Sequence, residues 1–223
     1  MIKIIVTGAK GRMGSHIISL ISESSDLELA AGIDIGDSLA DVIDGADVII
    51  DFSTPDASVL YAELSATHKK AIVIGTTGLD DVQETQIKKA ASSTAVLHAP
   101  NMSIGVNVMF KLIKEAAAAL DDSYTIRIEE THHIHKKDKP SGTAKRMCDM
   151  VPNSNRITEV NSHREGEVVG DHEITFSGHD EILRISHHAE SRKIFARGAI
   201  TAARWIAGKP AGFYNMNDVL SKN

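Results

Sequence analysis

The opening stretch limits most what this chain can fold into. Ile2-Lys3-Ile4-Ile5-Val6 is β-branched and mostly apolar, as a buried parallel strand requires. Thr7-Gly8-Ala9-Lys10-Gly11-Arg12-Met13-Gly14 follows, and then a run in which Ile17, Ile18 and Ile21 recur at helical spacing. Strand, glycine turn and helix together make the start of a dinucleotide-binding unit, where glycines admit a close pyrophosphate and the helix N-terminus faces it. The spacing is GxxGxxG rather than GxGxxG, with Lys10 where the middle glycine normally lies. Context restores the motif: a second strand, 27–33, ends at Asp34, where a carboxylate can accept hydrogen bonds from an adenosine ribose.

The alternation continues. Strand-like runs at 46–52, 70–74 and 95–98 are separated by helical stretches at 57–67 and 80–91. Each of these runs ends in small or polar residues: Ser53-Thr54-Pro55, Gly75-Thr76-Thr77-Gly78, and Ala99-Pro100-Asn101-Met102-Ser103. This is the pattern of an α/β, Rossmann-type doubly wound parallel sheet, whose ligands lie outside the carboxyl ends of the strands. From Ile104 the texture changes. A helix over 106–120 leads into an alternating strand at 124–131, a helix at 143–151, and strands at 157–162, 173–176 and 182–187. Residues 164–167 and 168–172 read as turns and a loop. Strands without long intervening helices predict a mostly antiparallel or mixed sheet. A final helix over 192–207 returns to the texture of the first half. The expected organisation is a dinucleotide-binding domain of 1–104 and 191–223, with an inserted α+β substrate and oligomerisation domain of 105–190.

Chemistry concentrates in Glu129–Ala144, EETHHIHKKDKPSGTA, where His132, His133, His135, Lys136, Lys137 and Lys139 fall within eight positions. Pro140-Ser141-Gly142-Thr143 then has the composition of a helix start, with Thr143 able to cap, and a helix start can seat a carboxylate or phosphate. Crowded cations lower a lysine's pKa toward proton-transfer range. A histidine-rich tract is also a metal-site composition, but the flanking lysines repel a cation and no cysteine lies nearby, so no metal is expected. Lys137 and Lys139 read as surface charges. Asp138 reads as pinning the loop by charge pairing, Arg164 and Arg192 as holding loops by hydrogen bonds, and Cys148 as core.

The net charge of -6 argues against a nucleic-acid partner. The single cysteine excludes an intrachain disulfide, no apolar run is long enough to span a bilayer, and MIKIIVTG shows no cleavable signal pattern. A cytoplasmic location with no membrane partner is expected.

Several motifs together resemble the 4-hydroxy-tetrahydrodipicolinate reductase family. They are GxxGRMG after the first strand, the Gly75–Gly78 loop, Asn101-Met102-Ser103 before Gly105-Val106-Asn107, and His132-His133-x-His135-Lys136-x-Asp138-x-Pro140-Ser141-Gly142-Thr143-Ala144. Arg164-x-Gly166-x-x-Val169-Gly170 and Ser191-Arg192-x-x-Phe195-Ala196-x-Gly198-Ala199 extend it. The resemblance runs from Ile2 to the Gly212-Phe213-Tyr214 tail, and its most specific part is the histidine–lysine signature. It implies reduction of a cyclic hydroxylated dicarboxylate to tetrahydrodipicolinate with loss of water, using NADH or NADPH, in lysine and meso-diaminopimelate synthesis. It further implies His132 as acid/base group, Lys136 as proton donor, and His133, Gly142 and Thr143 as holders of the substrate carboxylates. Gly8, Ala9, Lys10, Gly11, Arg12, Met13, Asp34, Gly75, Thr76, Thr77, Pro100, Asn101, Met102 and Ser103 would contact the dinucleotide. A homotetramer built through the sheet of the inserted domain is implied as well. The chain is shorter than the commoner form, with abbreviated connections expected after Asp34 and Val151. Asp34 followed by Ile35 favours NADH, while Lys10 and Arg12 could reach a 2′-phosphate, so both cofactors stay open.

Overall fold

The computed structural model describes residues 1–221. They fall into two compact units, 1–104 with 193–221, and Gly105–Arg192.

The first unit is built on β1 (Ile2–Thr7), β2 (Leu27–Ile33), β3 (Val48–Asp51), β4 (Ala71–Ile74) and β5 (Ala95–His98). With the late strand β10 (Gly212–Tyr214) they form a six-stranded parallel sheet in the order β10-β5-β4-β3-β1-β2. β3 and β4 are buried at every position, which is why their sequences carry no alternation. Helix α1 (Arg12–Ser22) and α6 (Lys193–Ile206) supply one apolar layer. Ala196, Ala199, Ile200, Ala203 and Ile206 form a helical stripe packed with Ile17, Leu20 and Ile21 against Ile4, Val6, Val48 and Ile50. Helices α2 (Pro55–His68) and α3 (Asp81–Ala90) cover the other face through Ala62, Ile87 and Ala90 over Ile5, Ile49 and Ile72. Thr54 caps α2 ahead of Pro55, and Asp80 with Gln83 forms a capping box on α3.

The second unit packs α4 (Ile104–Ala119) and α5 (Gly142–Asp149) on one face of a four-stranded sheet. The sheet contains β6 (Thr125–His132), β7 (Ile157–Arg164), β8 (Asp171–Ser177) and β9 (Ile182–His188), ordered β7-β6-β8-β9. It is mixed: β6 and β7 run parallel, whereas β8 is antiparallel to both β6 and β9. Along β6, Ile126, Ile128, Glu130 and His132 are the buried positions, so the same alternation that seats two isoleucines in the core carries an acid and an imidazole inward.

Several local expectations are corrected. Arg164 belongs to β7, and Asp171 and His172 belong to β8, not to loops; pairing across the sheet extends both strands beyond their apolar runs. The α5 cap is Ser141, whose hydroxyl accepts the Ala144 N–H, and not Thr143. Strand β10 and the short helix α7 (Met216–Leu220) were not expected.

Candidate active site

In the first unit the glycine turn is shaped by close backbone approach. Gly8 has φ +70°, and a Cβ there would stand 2.2 Å from the Phe52 carbonyl oxygen, so only glycine fits where β1 leaves the sheet beside β3. Gly11 is the N-cap residue of α1 and provides no side-chain cap, leaving the first turn to an outside acceptor. Asp34, at the end of β2, accepts the Lys10 N–H at 2.7 Å and the Ile35 N–H at 2.9 Å. These two backbone donors, Ile35 first, hold its carboxyl below the ordinary range. Gly8 to Met13 and Asp34 are thereby brought together.

Gly75, Thr76 and Thr77 follow β4 and reach the same sheet edge, with Thr76 tied to the β3 exit through a 3.0 Å bond from the Ser53 N–H. Pro100 to Ser103 follow β5. There Asn101 Oδ1 accepts the Ser103 N–H at 2.9 Å, while the Met102 side chain is buried in the core cluster under α6. The Met102 side chain is therefore withheld from a ligand, and its carbonyl packs against Gly198 of α6. A glycine turn without room for Cβ, an uncapped helix start and a carboxylate at the β2 exit fit an adenine dinucleotide.

In the second unit the histidine–lysine stretch is organised by a residue that sequence reasoning passed over. Glu130 is fully buried and gathers donors from three elements. His132 Nδ1 hydrogen-bonds its Oε2, and Arg164 pairs with it in bidentate fashion, Nη1 to Oε2 and Nη2 to Oε1, both at 3.0 Å. The Ser141 N–H adds a bond to Oε1 at 3.2 Å. Burial pushes the Glu130 carboxyl up, but the bonds from Arg164, His132 and Ser162 prevail and bring it down to about 2. Arg164 also donates from Nε to the Lys136 carbonyl at 3.2 Å and from Nη2 to the Asp138 carbonyl, so one guanidinium braces the loop bearing Lys136. The alternation Ile126, Ile128, Glu130 was the available signal, because it places Glu130 on the buried face.

His132 is itself buried, which lowers its pKa despite the opposing bond from Glu130. With Nδ1 engaged by a carboxylate, the proton sits there and Nε2 keeps a lone pair. A Cβ on Gly170 would lie 3.0 Å from that Nε2, so glycine keeps space beside it. His172 meets His132 edge-to-face at 5.0 Å between ring centroids, its Nε2 lies 3.3 Å from Ser141 Oγ, and burial lowers its pKa to about 3.

Lys136 Nζ lies 2.8 Å from Asp138 Oδ1, so its nearest charge is opposite rather than like. His133 Nε2 accepts from Arg192 Nη2 at 3.0 Å, and burial followed by the Arg192 charge lowers its pKa. Gly142 and Thr143 open α5 directly after the Ser141 tied to Glu130. Lys137, His135 and Lys139 are exposed.

Residues 2–102 match the family described as dihydrodipicolinate reductase, N-terminus, and residues 105–220 match dihydrodipicolinate reductase, C-terminus. A 4-hydroxy-tetrahydrodipicolinate reductase of Syntrophus aciditrophicus (strain SB) is 40% identical over 99% of this chain and 98% of its own length. The enzyme of the same name from Geobacter metallireducens is also 40% identical, over 99% of each chain. Among solved structures, a dipicolinate-bound dihydrodipicolinate reductase from Paenisporosarcina sp. TG-14 superposes with a TM-score of 0.81 at 24% identity, over 96% of this chain and 97% of that one. Together, two matched halves and near-complete coverage of these relatives establish that the chain belongs to the dihydrodipicolinate reductase family.

Proposed function

We propose that this chain reduces 4-hydroxy-tetrahydrodipicolinate to tetrahydrodipicolinate with loss of water, at the expense of NADH or NADPH, in lysine and meso-diaminopimelate synthesis. The single observation that carries the reading is the buried Glu130–His132 pair braced by Arg164, with Lys136 held on the same braced loop. The nicotinamide supplies a hydride to the ring. The remaining needs are protons: one removed from a ring carbon, one given to the departing hydroxyl, and one given to the carbon that becomes electron-rich. His132, neutral with an open Nε2, is suited to take the ring-carbon proton and hand it to the departing hydroxyl. Lys136, an ammonium on a loop fixed by Arg164 and Asp138, is suited to give one.

The substrate's two carboxylates call for cations and backbone donors. The α5 start at Gly142 and Thr143, with His133 beside Arg192, supplies both types. The dinucleotide takes the glycine turn from Gly8 to Met13, Asp34, and the loops of Gly75 to Thr77 and Pro100 to Ser103. NADH is the favoured form, because the Asp34 carboxylate accepts from ribose hydroxyls and repels a 2′-phosphate. The expected assembly is a homotetramer through the sheet of the second unit, working in the cytoplasm. No helix of the described residues is long and apolar enough to cross a membrane.

The test is oxidation of NADH on addition of freshly generated substrate, followed by absorbance. Consumption dependent on that substrate supports the reading, and nucleotide binding without consumption defeats it. Lys136→Ala should lower kcat by about 10²-fold or more, the scale of a lost general acid, with NADH affinity held within about twofold. An unaltered rate would remove Lys136 from the mechanism.

A further inference from the structure

Outside the histidine–lysine site, one buried titratable group has no assigned task. Asp51, the last residue of β3, is wholly inaccessible and pairs with no cation among the described residues; its carboxylate instead collects side-chain hydroxyls. Thr7 Oγ1, at the end of β1, donates to Oδ1 at 2.6 Å, and Ser53 Oγ donates to the same oxygen at 2.5 Å. Thr76 Oγ1, just beyond β4, donates to Oδ2 at 2.9 Å, and Ser58 Oγ in the first turns of α2 donates there too. Backbone bonds run along the same seam: Phe52 N–H to Thr7 O at 3.2 Å and Gly75 N–H to Asp51 O at 2.9 Å.

An apolar residue would suit a strand buried on all sides, and Val48, Ile49 and Ile50 before it are of that kind. A carboxylate there is costly unless its lone pairs are filled, and here they are filled by donors from the exits of β1, β3 and β4. Those exits begin the glycine turn and the Gly75–Thr77 loop. Thr76 is the pivot, because its hydroxyl donates to Asp51 while accepting the Ser53 N–H at 3.0 Å. Rotating that hydroxyl to any other acceptor would leave the carboxylate one donor short.

We infer that Asp51 is a positioning residue for the dinucleotide, its carboxylate locking the ends of β1, β3 and β4 so that the glycine turn and the Gly75–Thr77 loop present one preformed seat. The inference rests on the reading of this sheet edge as the cofactor site. Asp51 acts through the loops and does not itself touch the ligand. An amide at this position would keep one acceptor oxygen and turn a donor toward Thr76 and Ser58, breaking the pattern without changing its size.

The test measures NADH dissociation constants by fluorescence titration, KM for both substrates, and Tm, on the full chain. Asp51→Asn and Ser58→Ala should each raise the NADH dissociation constant and NADH KM by about tenfold, the loss of roughly one hydrogen bond's worth of preorganisation. KM for the dicarboxylate should stay within about twofold. If Asp51→Asn does not fold, Ser58→Ala, which removes a donor to Asp51 at a residue outside the cofactor loops, decides alone. Lower Tm with unmoved NADH affinity and KM in the variants would overturn the proposal and leave Asp51 as a sheet fastener. Wild-type protein that takes up no NADH would instead overturn the cofactor reading beneath it.

Discussion

The two units build their sites from different materials. In the first, the glycine turn works through backbone: what matters is where a Cβ is forbidden, as at Gly8, and which N–H groups the start of α1 leaves uncapped. In the second, the working groups are side chains, and what matters is who holds them: Glu130 fixes His132, Arg164 fixes Glu130 and the Lys136 loop, and Asp138 fixes the ammonium. The backbone site fails when a glycine is lost or when the buried carboxylate that fastens its strand exits, Asp51, is changed. Side-chain sites fail at a single buried partner. That difference can be broken at either end.

The largest effect is expected at Glu130. Glu130→Ala removes the acceptor of a buried guanidinium and of His132 together. Stranding one partner of a buried pair costs about 3–5 kcal/mol. Loss of the imidazole's anchor should lower kcat by roughly 10²–10⁴-fold. Steady-state kinetics and chemical denaturation measure both, and NADH titration should show little change. A variant with near-normal kcat would mean that His132 needs no carboxylate to hold it.

Next in size is Gly8→Ala. A left-handed backbone costs about 1–2 kcal/mol for a residue with a side chain, and the clash with the Phe52 carbonyl adds to it. NADH affinity should fall at least about tenfold, while the Glu130 network is left alone. Normal NADH titration in this variant would show that the turn is not read through its backbone.

How far the sequence disclosed each site follows the same division. β2 and β5 were legible to the residue because each is a short, largely apolar run bounded by polar or turn residues, and the glycine turn was legible because glycine has few other uses between a strand and a helix. The histidine–lysine stretch was visible because polar residues of one kind seldom crowd by chance. Its supports were not. Glu130 sits beside Glu129 and looks like a solvated strand end until register turns one inward and the other outward. Asp51 was hidden inside an apolar run, because its partners come from Thr7, Ser58 and Thr76, far apart in the chain. His172 read as loop, since only pairing with Glu130 across β6 and β8 shows it to be strand. β10 has three residues and exists by virtue of the β5 edge beside it. Local pattern reports periodicity, and long-range pairing decides which polar residue is buried.

Acid should separate the units more gently. His172 is lowered by burial from an ordinary 6.5 to about 3. Between those values the unfolded chain binds a proton that the folded chain refuses, so stability is full above about pH 6.5 and falls as pH drops toward 3. The slope is at most about 1.4 kcal/mol per pH unit for one such histidine. Glu130, lowered from 4.5 to about 2, adds a loss of the same sign in a lower window. His172→Gln should flatten the decline between about pH 6 and 4 in denaturant titrations while leaving the lower limb. An unchanged slope would assign the upper window to other histidines.

The smallest effect tests a place where the first unit is expected to offer a side chain to the cofactor itself. Asp34 reaches back to the Lys10 N–H and onward to the Ile35 N–H, so its carboxylate is oriented by backbone although it lies in solvent reach. A carboxylate so held accepts from a ribose diol and opposes a 2′-phosphate, while Lys10 and Arg12, both exposed on the same turn, would favour that phosphate. Asp34→Ala removes the acceptor and the repulsion together. NADH should bind a few-fold more weakly and NADPH no worse, moving the ratio of the two dissociation constants by up to about tenfold. Because exposed charges are screened, the shift should shrink at high salt, which a geometric loss of the turn would not do. Equal weakening of both cofactors at every salt concentration would mean that Asp34 matters only as a brace for Lys10, so that this carboxylate, like Asp51, would act on the cofactor only through the backbone it holds.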